Sequence, residues 1–500
     1  MEKLGIIDIG SNSIRLVILK INEDNSFRVI DEKKESVRLG MDMTEEGGLN
    51  LQRVDKAMDT LKFFMDIAEA TNVNNIIGVA TEAVRRASNR EYFVSRVKNE
   101  IGIDIRVLQG NEEAFYDYFG TVNSMEFENA LLMDIGGCSN QLILVENRKM
   151  VQAISLPYGA INLSETFKLQ SALEKNKEEE LKNFLLKEYS KVPWIKNAKG
   201  YPLIGIGGTI RNIGKISRKK NNYPMDVSHN YHINSENIYE IYDLAKNRDI
   251  KQREKIKGLS KERADIFLGA AAAVVTVMEC CSASDVYISG NGLREGIIYE
   301  HILKGKEPIE KVLDFSLNNI MCDYKLDKNH AKRVRSYTET LFEQLKPVHN
   351  ISQNVSRILK TTTLLHDLGI DINYYGHHKH SFYMMLNSRI NGLTHREQLM
   401  AAHIAAFHRR EEFKIDTYQY RNMLHEEDIS VIQKLGVLLK ISECLDQRQN
   451  GNIHQIQCNL QPDTVIIKLF ANSNPEIEIN DAIKVADMFH KLFNRKLLIV

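Results

Sequence analysis

The sequence contains few of the residues that mark secreted, zinc-stapled or disordered chains: one tryptophan, eight prolines and six cysteines among 500 residues. Six cysteines are too few for a disulfide framework in a chain of this length, and they lack the paired C-x-x-C spacing of a structural zinc site. The scarcity of proline, together with 43% hydrophobic residues, excludes a disordered chain. We therefore expect a folded protein of the cytoplasm.

The sequence also lacks an excess of charge of either sign. Lysine and arginine together number 66, as do aspartate and glutamate, so no overall field draws the chain onto nucleic acid or an anionic membrane. The longest apolar run, residues 267–278, is shorter than the roughly 20 residues of a membrane-spanning helix. Asp8 interrupts the first apolar run, where a signal peptide needs continuous hydrophobic residues. We expect neither a membrane nor a nucleic-acid partner.

The order of predicted elements divides the chain into four parts. Short strands followed by helices occur twice before residue 305, whereas residues 326–442 show helical periodicity alone. The last stretch alternates apolar and polar residues at 465–469 and then becomes an amphipathic helix. The predicted parts are two α/β domains at 1–125 and 126–305, a helical domain at 306–454 and a small α/β segment at 455–500.

Two similar loops suggest that the α/β domain is duplicated. Asp8-Ile-Gly-Ser-Asn-Ser13 and Asp134-Ile-Gly-Gly-Cys-Ser139 each follow an apolar strand. Glycine allows an anion to approach the main chain, where converging N–H groups form a nest for phosphate. The aspartate at each strand end is a suitable Mg²⁺ ligand. With further glycine clusters at 205–209 and 289–292, the pattern predicts a phosphate-binding cleft between the domains.

Six segments, taken together, resemble the exopolyphosphatase and guanosine pentaphosphate phosphohydrolase (Ppx/GppA) family. They are residues 8–15, 80–89, 110–114, 134–137, 207–209 and 289–296. The resemblance extends in order over the first 300 residues, and the C-terminal part resembles the HD-type helical domain of longer family members. It implies an actin-like fold (sugar kinase and heat-shock ATPase superfamily), a homodimer, and Mg²⁺-dependent removal of terminal phosphate from polyphosphate or from guanosine pentaphosphate (pppGpp).

The resemblance also implies roles for individual residues. Glu113 matches the family's catalytic base, which orients and deprotonates the attacking water, and Glu112 is its less favoured neighbour. Arg15 and Arg85 are suited to clamp phosphate, unless each forms a surface ion pair. The predicted substrate-binding residues are Asn12, Ser13, Arg15, Arg85, Gly136, Gly137, Ser139, Gly207, Gly208 and Thr209, and the predicted Mg²⁺ ligands are Asp8 and Asp134.

The second loop departs from the family pattern Asp-x-Gly-Gly-Gly-Ser-Thr-Glu. Cys138 replaces the third glycine, and Gln141 replaces the glutamate, which removes a charged ligand from the metal site. We therefore expect an exopolyphosphatase, with a pppGpp phosphohydrolase or a weakly active regulatory protein that binds either compound as alternatives. A small-molecule kinase is disfavoured, because Glu113 in the family context indicates water as the acceptor.

Histidines are concentrated in the helical part, where the sequence resembles the HD phosphohydrolase pattern. Imidazole and carboxylate are suitable ligands for Mn, Fe, Zn or Mg. An HD-like site holding a second divalent metal would gather His330, His366, Asp367, His380, His408 and Asp446. The alternative is a set of hydrogen-bonded core histidines without metal.

Overall fold

A computed structural model of the chain describes residues 2–305, 307–408 and 418–500. The chain divides into two compact units, Met1–Glu310 and Lys311–Val500. The first unit contains two mixed β-sheets and the second is mainly helical, as the sequence predicts. The finer division into four parts stays a prediction. Among the described helices, none is both long and apolar enough to cross a bilayer.

The first half of the first unit is a five-stranded sheet with the order β3-β2-β1-β4-β5. β1, β2 and β3 are antiparallel neighbours, whereas β4 and β5 run parallel to β1. Its elements are β1 (Glu2–Ile9), β2 (Ile14–Ile21), β3 (Phe27–Glu35), α1 (Leu51–Ala70), β4 (Asn75–Ala80), α2 (Glu82–Arg86), α3 (Arg90–Ile101), β5 (Ile105–Val107) and α4 (Gly110–Val122).

The sequence predicts one helix through residues 84–101, but the structure has two, α2 and α3. The break lies at Asn89, whose side-chain amide accepts from the Leu49 N–H at 2.8 Å and donates to the Leu49 carbonyl at 3.0 Å. Because these two hydrogen bonds tie the segment to a distant loop, tertiary contact overrides the local helical preference.

The second half is a six-stranded sheet that repeats this topology. Starting from β8, the strand order is β8-β7-β6-β9-β11-β10. The first five strands correspond in order to β3-β2-β1-β4-β5 of the first sheet, and β10 is an additional strand at the edge. Its elements are β6 (Ala130–Ile135), β7 (Asn140–Glu146), β8 (Lys149–Leu156), α5 (Ala160–Thr166), α6 (Lys175–Ser190), β9 (Leu203–Ile206), α7 (Gly207–Lys220), β10 (Tyr231–Asn234), α8 (Ser235–Lys246), α9 (Ile250–Arg253), α10 (Phe267–Cys281), β11 (Asp285–Ile288) and α11 (Leu293–Leu303).

The longest apolar run of the sequence forms α10, the central helix of this half. Its residues are buried from Phe267 to Met278, and it contacts α5, α6 and α8. A helix that is apolar on every side is stable only where other elements surround it. The run is thus explained by burial in a protein core.

The second unit is built around α13, α15, α17 and α18, which contact one another in turn. A three-stranded sheet with the order β12-β13-β14 lies against α13, where Gln344 accepts from the Cys458 N–H at 2.6 Å. The elements are α12 (Val312–Asp323), α13 (Lys328–Gln344), α14 (Lys346–His349), α15 (Ser356–Leu365), α16 (His377–Asn387), α17 (His395–Phe407), α18 (Glu426–Cys444), β12 (Ile453–Leu460), β13 (Thr464–Ala471), α19 (Glu476–Ala482), α20 (Ala486–Phe493) and β14 (Lys496–Ile499).

Candidate active site

The two predicted phosphate loops have the same backbone geometry. In the first, the Gly10 N–H donates to the Ser13 carbonyl at 3.1 Å, and in the second the Gly136 N–H donates to the Ser139 carbonyl at 2.9 Å. Each loop joins two antiparallel strands, β1 to β2 and β6 to β7. β1 and β6 occupy equivalent positions in their sheets. The loops at their carboxyl ends line one cleft.

The cleft has a volume of about 140 Å³ and is lined by most of the predicted residues. The predicted residues that line it are Asp8, Asn12, Ser13, Arg15, Glu113, Asp134, Gly136, Gly137, Ser139, Gly207 and Gly208. Arg85 and Thr209 are not among the lining residues, and Thr209 is buried within the first turns of α7. The structure thus brings together both loops, Glu113 and glycines of both predicted clusters, Gly207, Gly208 and Gly292.

Glu113 and Glu112 have different surroundings, although they are neighbours in α4. Glu113 lines the cleft and is 7% exposed. Glu112 instead accepts from the Gln109 N–H at 2.8 Å, which caps the helix, and pairs with Arg106. The geometry therefore favours Glu113 over Glu112 as the carboxylate that meets substrate.

Arg85 contacts Glu113. Its guanidinium donates to Glu113 Oε2 at 3.0 Å and to the Leu108 carbonyl at 2.7 Å, and it also pairs with Glu82. A guanidinium held by two carboxylates and a carbonyl has little remaining capacity for phosphate. Arg85 is thus placed to orient Glu113.

The pKa of Glu113 is raised to about 8, chiefly because burial disfavours the charged carboxylate. Arg85 opposes this effect, whereas the negative charges of Asp134 and Glu82 add to it. A general base is most effective when its pKa lies near the working pH. The surroundings of Glu113 meet that condition.

Asp8 and Asp134 are the two aspartates at the strand ends. Burial raises the pKa of Asp8, against the lowering effect of Arg294 and Arg15, and burial raises the pKa of Asp134 to about 6. Asp134 Oδ1 is buried without a hydrogen-bond partner among the described residues. Gly207 (φ +86°) permits this placement, because a Cβ there would lie 2.2 Å from Asp134 Oδ1. A buried carboxylate oxygen without a hydrogen-bond partner suits a hard cation such as Mg²⁺.

Three arginines that the sequence reasoning missed join Arg15 in the cleft: Arg211, Arg263 and Arg294. Arg294 pairs with Glu32 at 2.6 Å. Burial and the neighbouring guanidiniums lower the pKa of Arg211 to about 9, and burial is also the main reason that the pKa of Arg263 falls to about 10. Positive charges crowded in this way indicate a polyanionic ligand.

Two of these arginines were detectable in the sequence, because Arg211 follows the Gly207-Gly208 cluster and Arg294 follows the cluster at 289–292. Arg263 had no such signal. It comes from a one-turn 3₁₀ helix, and its guanidinium lies directly over Gly208, where a Cβ would approach within 2.1 Å.

Asp117 is a further carboxylate that the sequence reasoning missed. It lies one helical turn after Glu113 on α4 and is fully buried. Burial, with the negative charges of Asp134 and Glu113, raises its pKa well above the usual range. These surroundings favour its protonated, uncharged form.

Gln141 and Cys138, two of the departures from the family loop, are not among the residues that line the cleft. Gln141 is fully buried, and its side-chain amide donates to Ser139 Oγ at 3.1 Å and to Ser155 Oγ at 3.2 Å. The Cys138 thiol lies 3.7 Å from the Gly40 carbonyl. Gln141 thus holds the loop through its hydrogen bond to Ser139, while Cys138 contacts the other half of the unit.

The second unit contains a separate cluster of imidazoles and carboxylates, and it includes four of the six predicted ligands. His330, His366, Asp367 and Glu443 form one group, and Asp367, His377 and His408 form another. His380 and Asp446 lie outside both groups. In their place the groups contain His377, three residues before His380 on α16, and Glu443, three residues before Asp446.

Both units of the chain match a known protein family. Residues 17–305 match the sequence model of the Ppx/GppA phosphatase family, and residues 312–484 match that of Ppx/GppA phosphatase, domain III. The guanosine-5'-triphosphate,3'-diphosphate pyrophosphatase of Aeromonas salmonicida is 26% identical over 482 residues, 93% of this chain and 91% of that protein. The protein of the same name from Vibrio parahaemolyticus is 24% identical and covers 95% of this chain and 94% of its own length.

Solved structures resemble the first unit. The Ppx/GppA family member of Aquifex aeolicus is 31% identical, with a TM-score of 0.53 over 61% of this chain and 98% of that one. An exopolyphosphatase of Cytophaga hutchinsonii, 24% identical, shares the fold with a TM-score of 0.57 over 62% of this chain and 99% of its own. The chain therefore belongs to the Ppx/GppA phosphatase family, enzymes that hydrolyse phosphoanhydride bonds.

Proposed function

We propose that the chain is a Mg²⁺-dependent exopolyphosphatase that releases terminal phosphate from inorganic polyphosphate in the cleft of the first unit. The observation that carries the proposal is the combination of a buried carboxylate, Glu113, with two phosphate loops and four arginines around one small cavity. None of the residues that line this cavity is aromatic. Such a lining suits a chain of phosphates, which offers charge but no base to stack.

In the proposed mechanism the loops bind the terminal phosphoryl group through backbone N–H donors. Arg15, Arg211, Arg263 and Arg294 neutralise the phosphate oxygens and hold the chain in line. Glu113, oriented by Arg85, takes the proton of the attacking water. Phosphoryl transfer needs positioning and charge stabilisation above all, and these residues supply both.

Mg²⁺ would be held by Asp8 and Asp134, where it would neutralise charge on the phosphate oxygens. Both side chains line the cleft at equivalent strand ends. The buried, unpartnered Oδ1 of Asp134 supports this assignment, because a carboxylate oxygen in that position requires a cation or a proton.

We assign the two sheets to an actin-like pair of domains and the helical unit to the HD type. The repeated strand order supports the first assignment. The second rests on the sequence resemblance and on the clustered histidines.

A second substrate, pppGpp, is favoured by the full-length relatives. The Aeromonas and Vibrio proteins that share both units with this chain are named guanosine-5'-triphosphate,3'-diphosphate pyrophosphatases. Both substrates end in a phosphoanhydride-linked phosphate, so the same loops and arginines serve either one.

Phosphate release without an added acceptor tests these functions together. Purified full-length protein is given long-chain polyphosphate or pppGpp in the presence of Mg²⁺. We expect phosphate to be released faster from polyphosphate than from pppGpp. If phosphate is released from pppGpp alone, the protein is a pppGpp phosphohydrolase and not an exopolyphosphatase. Tight binding of either compound without release identifies a regulatory binding protein and overturns the enzymatic proposal.

A further inference from the structure

A single carboxylate oxygen lies between two of the four arginines of the cleft. Oε1 of Glu32 accepts from Arg15 Nη1 at 3.2 Å and from Arg294 Nη1 at 2.6 Å. Both arginines line the cleft, whereas Glu32 is not among the lining residues. Two guanidiniums that the proposed mechanism assigns to phosphate are thus bound to a carboxylate of the chain itself.

The sheet of the first half explains why Glu32 reaches both arginines. Glu32 on β3 pairs with Val17 on β2, and Arg15 lies two residues before Val17 on the same strand. Residues two apart on a strand point to the same face, so Glu32 and Arg15 are diagonal neighbours. α11, which carries Arg294, packs on this face, where its Ile297 shares a core cluster with Val17.

The three side chains differ in their contact with solvent. The side chains of Arg15 and Arg294 are 17% and 10% exposed, whereas that of Glu32 is 44% exposed. An exposed carboxylate that leaves an ion pair regains water, so its displacement costs little. The arginines are held in place by burial, and Arg294 Nε also lies 4.0 Å from Asp8 Oδ2. Glu32 is therefore the member of the group that can move away.

Glu32 also offsets the repulsion between the two guanidiniums. Burial and the positive charge of Arg294 lower the pKa of Arg15, and the negative charges of Asp8 and Glu32 oppose this effect. Burial likewise disfavours the charge of Arg294, but the carboxylates of Glu295, Glu32 and Asp8 raise its pKa above the usual value. A bound phosphate brings negative charge to the same guanidiniums. Phosphate and Glu32 thus compete for the same donors.

We propose that Glu32 is an internal competitor for the phosphate-binding arginines and thereby sets which anions the cleft accepts. A phosphoryl group that meets all four arginines displaces the carboxylate, whereas a small singly charged anion gains too few contacts to do so. After hydrolysis, Glu32 returns to Arg15 and Arg294 and favours the release of orthophosphate. The inference rests on the proposed function, in which the cleft binds phosphate, and it makes Glu32 a specificity-determining residue.

Binding of inorganic phosphate to the full-length protein tests the competition, because the protein does not turn this probe over. Isothermal titration calorimetry compares the wild type with Glu32→Gln, which removes the charge and preserves the shape. The dissociation constant for phosphate should fall about fivefold or more in the variant, since two ion pairs no longer compete with it. Inorganic phosphate should also inhibit phosphate release from polyphosphate at a correspondingly lower concentration.

Two further variants control for overall charge and for folding. Asp31→Asn removes the same charge from the neighbouring position of β3, which points to the other face of the sheet, where Asp31 pairs with Lys33 at 2.8 Å. Its phosphate affinity should equal that of the wild type. Glu32→Asp keeps the charge on a side chain one methylene shorter, so its affinity should lie between those of the wild type and Glu32→Gln. Circular dichroism checks the fold, and Glu32→Asp carries the test if Glu32→Gln does not fold.

The direction of the change separates competition from support. Weaker phosphate binding in folded Glu32→Gln would show that Glu32 only holds the arginines in position, and it would overturn the proposal. Unchanged binding, no phosphate binding in either protein, or equally tight binding in Asp31→Asn would overturn it as well. Failure of the proposed function is distinct: tighter phosphate binding in Glu32→Gln without hydrolysis of polyphosphate would support the competition and contradict the exopolyphosphatase.

Discussion

The cleft of the first unit and the histidine cluster of the second both concentrate carboxylates that are buried or partly buried, but they surround them with different partners. Around Asp8 and Asp134 lie glycine-rich backbone and arginines. Around Asp367 and Glu443 lie four imidazoles whose outer nitrogens are fixed by carbonyls or a carboxylate. The first setting suits Mg²⁺ and phosphate, and the second suits transition metals. The neighbours of a carboxylate thus decide its chemistry more than its own charge does.

The largest difference between the two regions is expected at Glu113, because the proposed general base of the cleft has no counterpart in the histidine cluster. Glu113→Gln removes the base and preserves shape, so kcat for phosphate release should fall by about a hundredfold or more while KM changes little. Glu112→Gln is the matched control and should remain close to wild type, because Glu112 caps α4 outside the cleft. Steady-state kinetics on both variants decides between the neighbours, and equal losses would contradict the assignment.

The pH dependence of kcat/KM also tests Glu113 as the general base. Glu113 acts only when deprotonated, and its pKa is raised to about 8, so kcat/KM should rise about tenfold per pH unit below 8 and level off above it. Arg85 lowers this pKa, so Arg85→Met should move the profile to higher pH and reduce the rate at pH 7 by about tenfold. A pH-rate profile of both proteins measures the shift. An identical inflection in the variant would show that Arg85 does not control the charge of Glu113.

Arginine distinguishes the cleft from the histidine cluster. Arg263→Ala should raise KM for polyphosphate by about tenfold, because a hydrogen bond to a charged group contributes roughly 1.5–3 kcal/mol. Arg218→Ala is a control on α7 outside the cleft lining and should leave KM unchanged once the protein is shown to be folded. A normal KM in Arg263→Ala would indicate that its guanidinium does not touch the substrate.

The smallest effect is expected at Gln141, the departure from the family loop. Gln141 pairs with Asp134 across β6 and β7, so a carboxylate in Gln141→Glu lies near the predicted Mg²⁺ ligand. We expect the Mg²⁺ concentration at half-maximal rate to fall a fewfold, about one kcal/mol of added attraction. Gln141→Met keeps the length without the charge and serves as the control. A titration unchanged by Gln141→Glu would place residue 141 outside the metal shell.

The two loops of the cleft were predictable because each consists of consecutive residues in the sequence. A strand that ends in aspartate, followed by glycine and serine, closes the same hairpin in both sheets. Arg263 was not predictable, because it reaches the cleft from a distant 3₁₀ helix. Asp117 was missed although it lies four residues after Glu113, since the sequence does not reveal that its side chain is buried beside Asp134.

The sequence alone predicted the two α/β halves, the helical second part and the paired loops, because hydrophobic period and local motifs report backbone structure directly. Glu113 was predicted only through the resemblance to a known family. The tertiary structure decided which side chains meet. Residues three apart on a helix lie on nearly the same face, so the pattern of the sequence is equally consistent with His377 or His380, and with Glu443 or Asp446. Only the packing of α13, α15, α16, α17 and α18 brings His377 and Glu443 close to the other imidazoles and carboxylates of the cluster, because the positions of the helices set the distances between side chains.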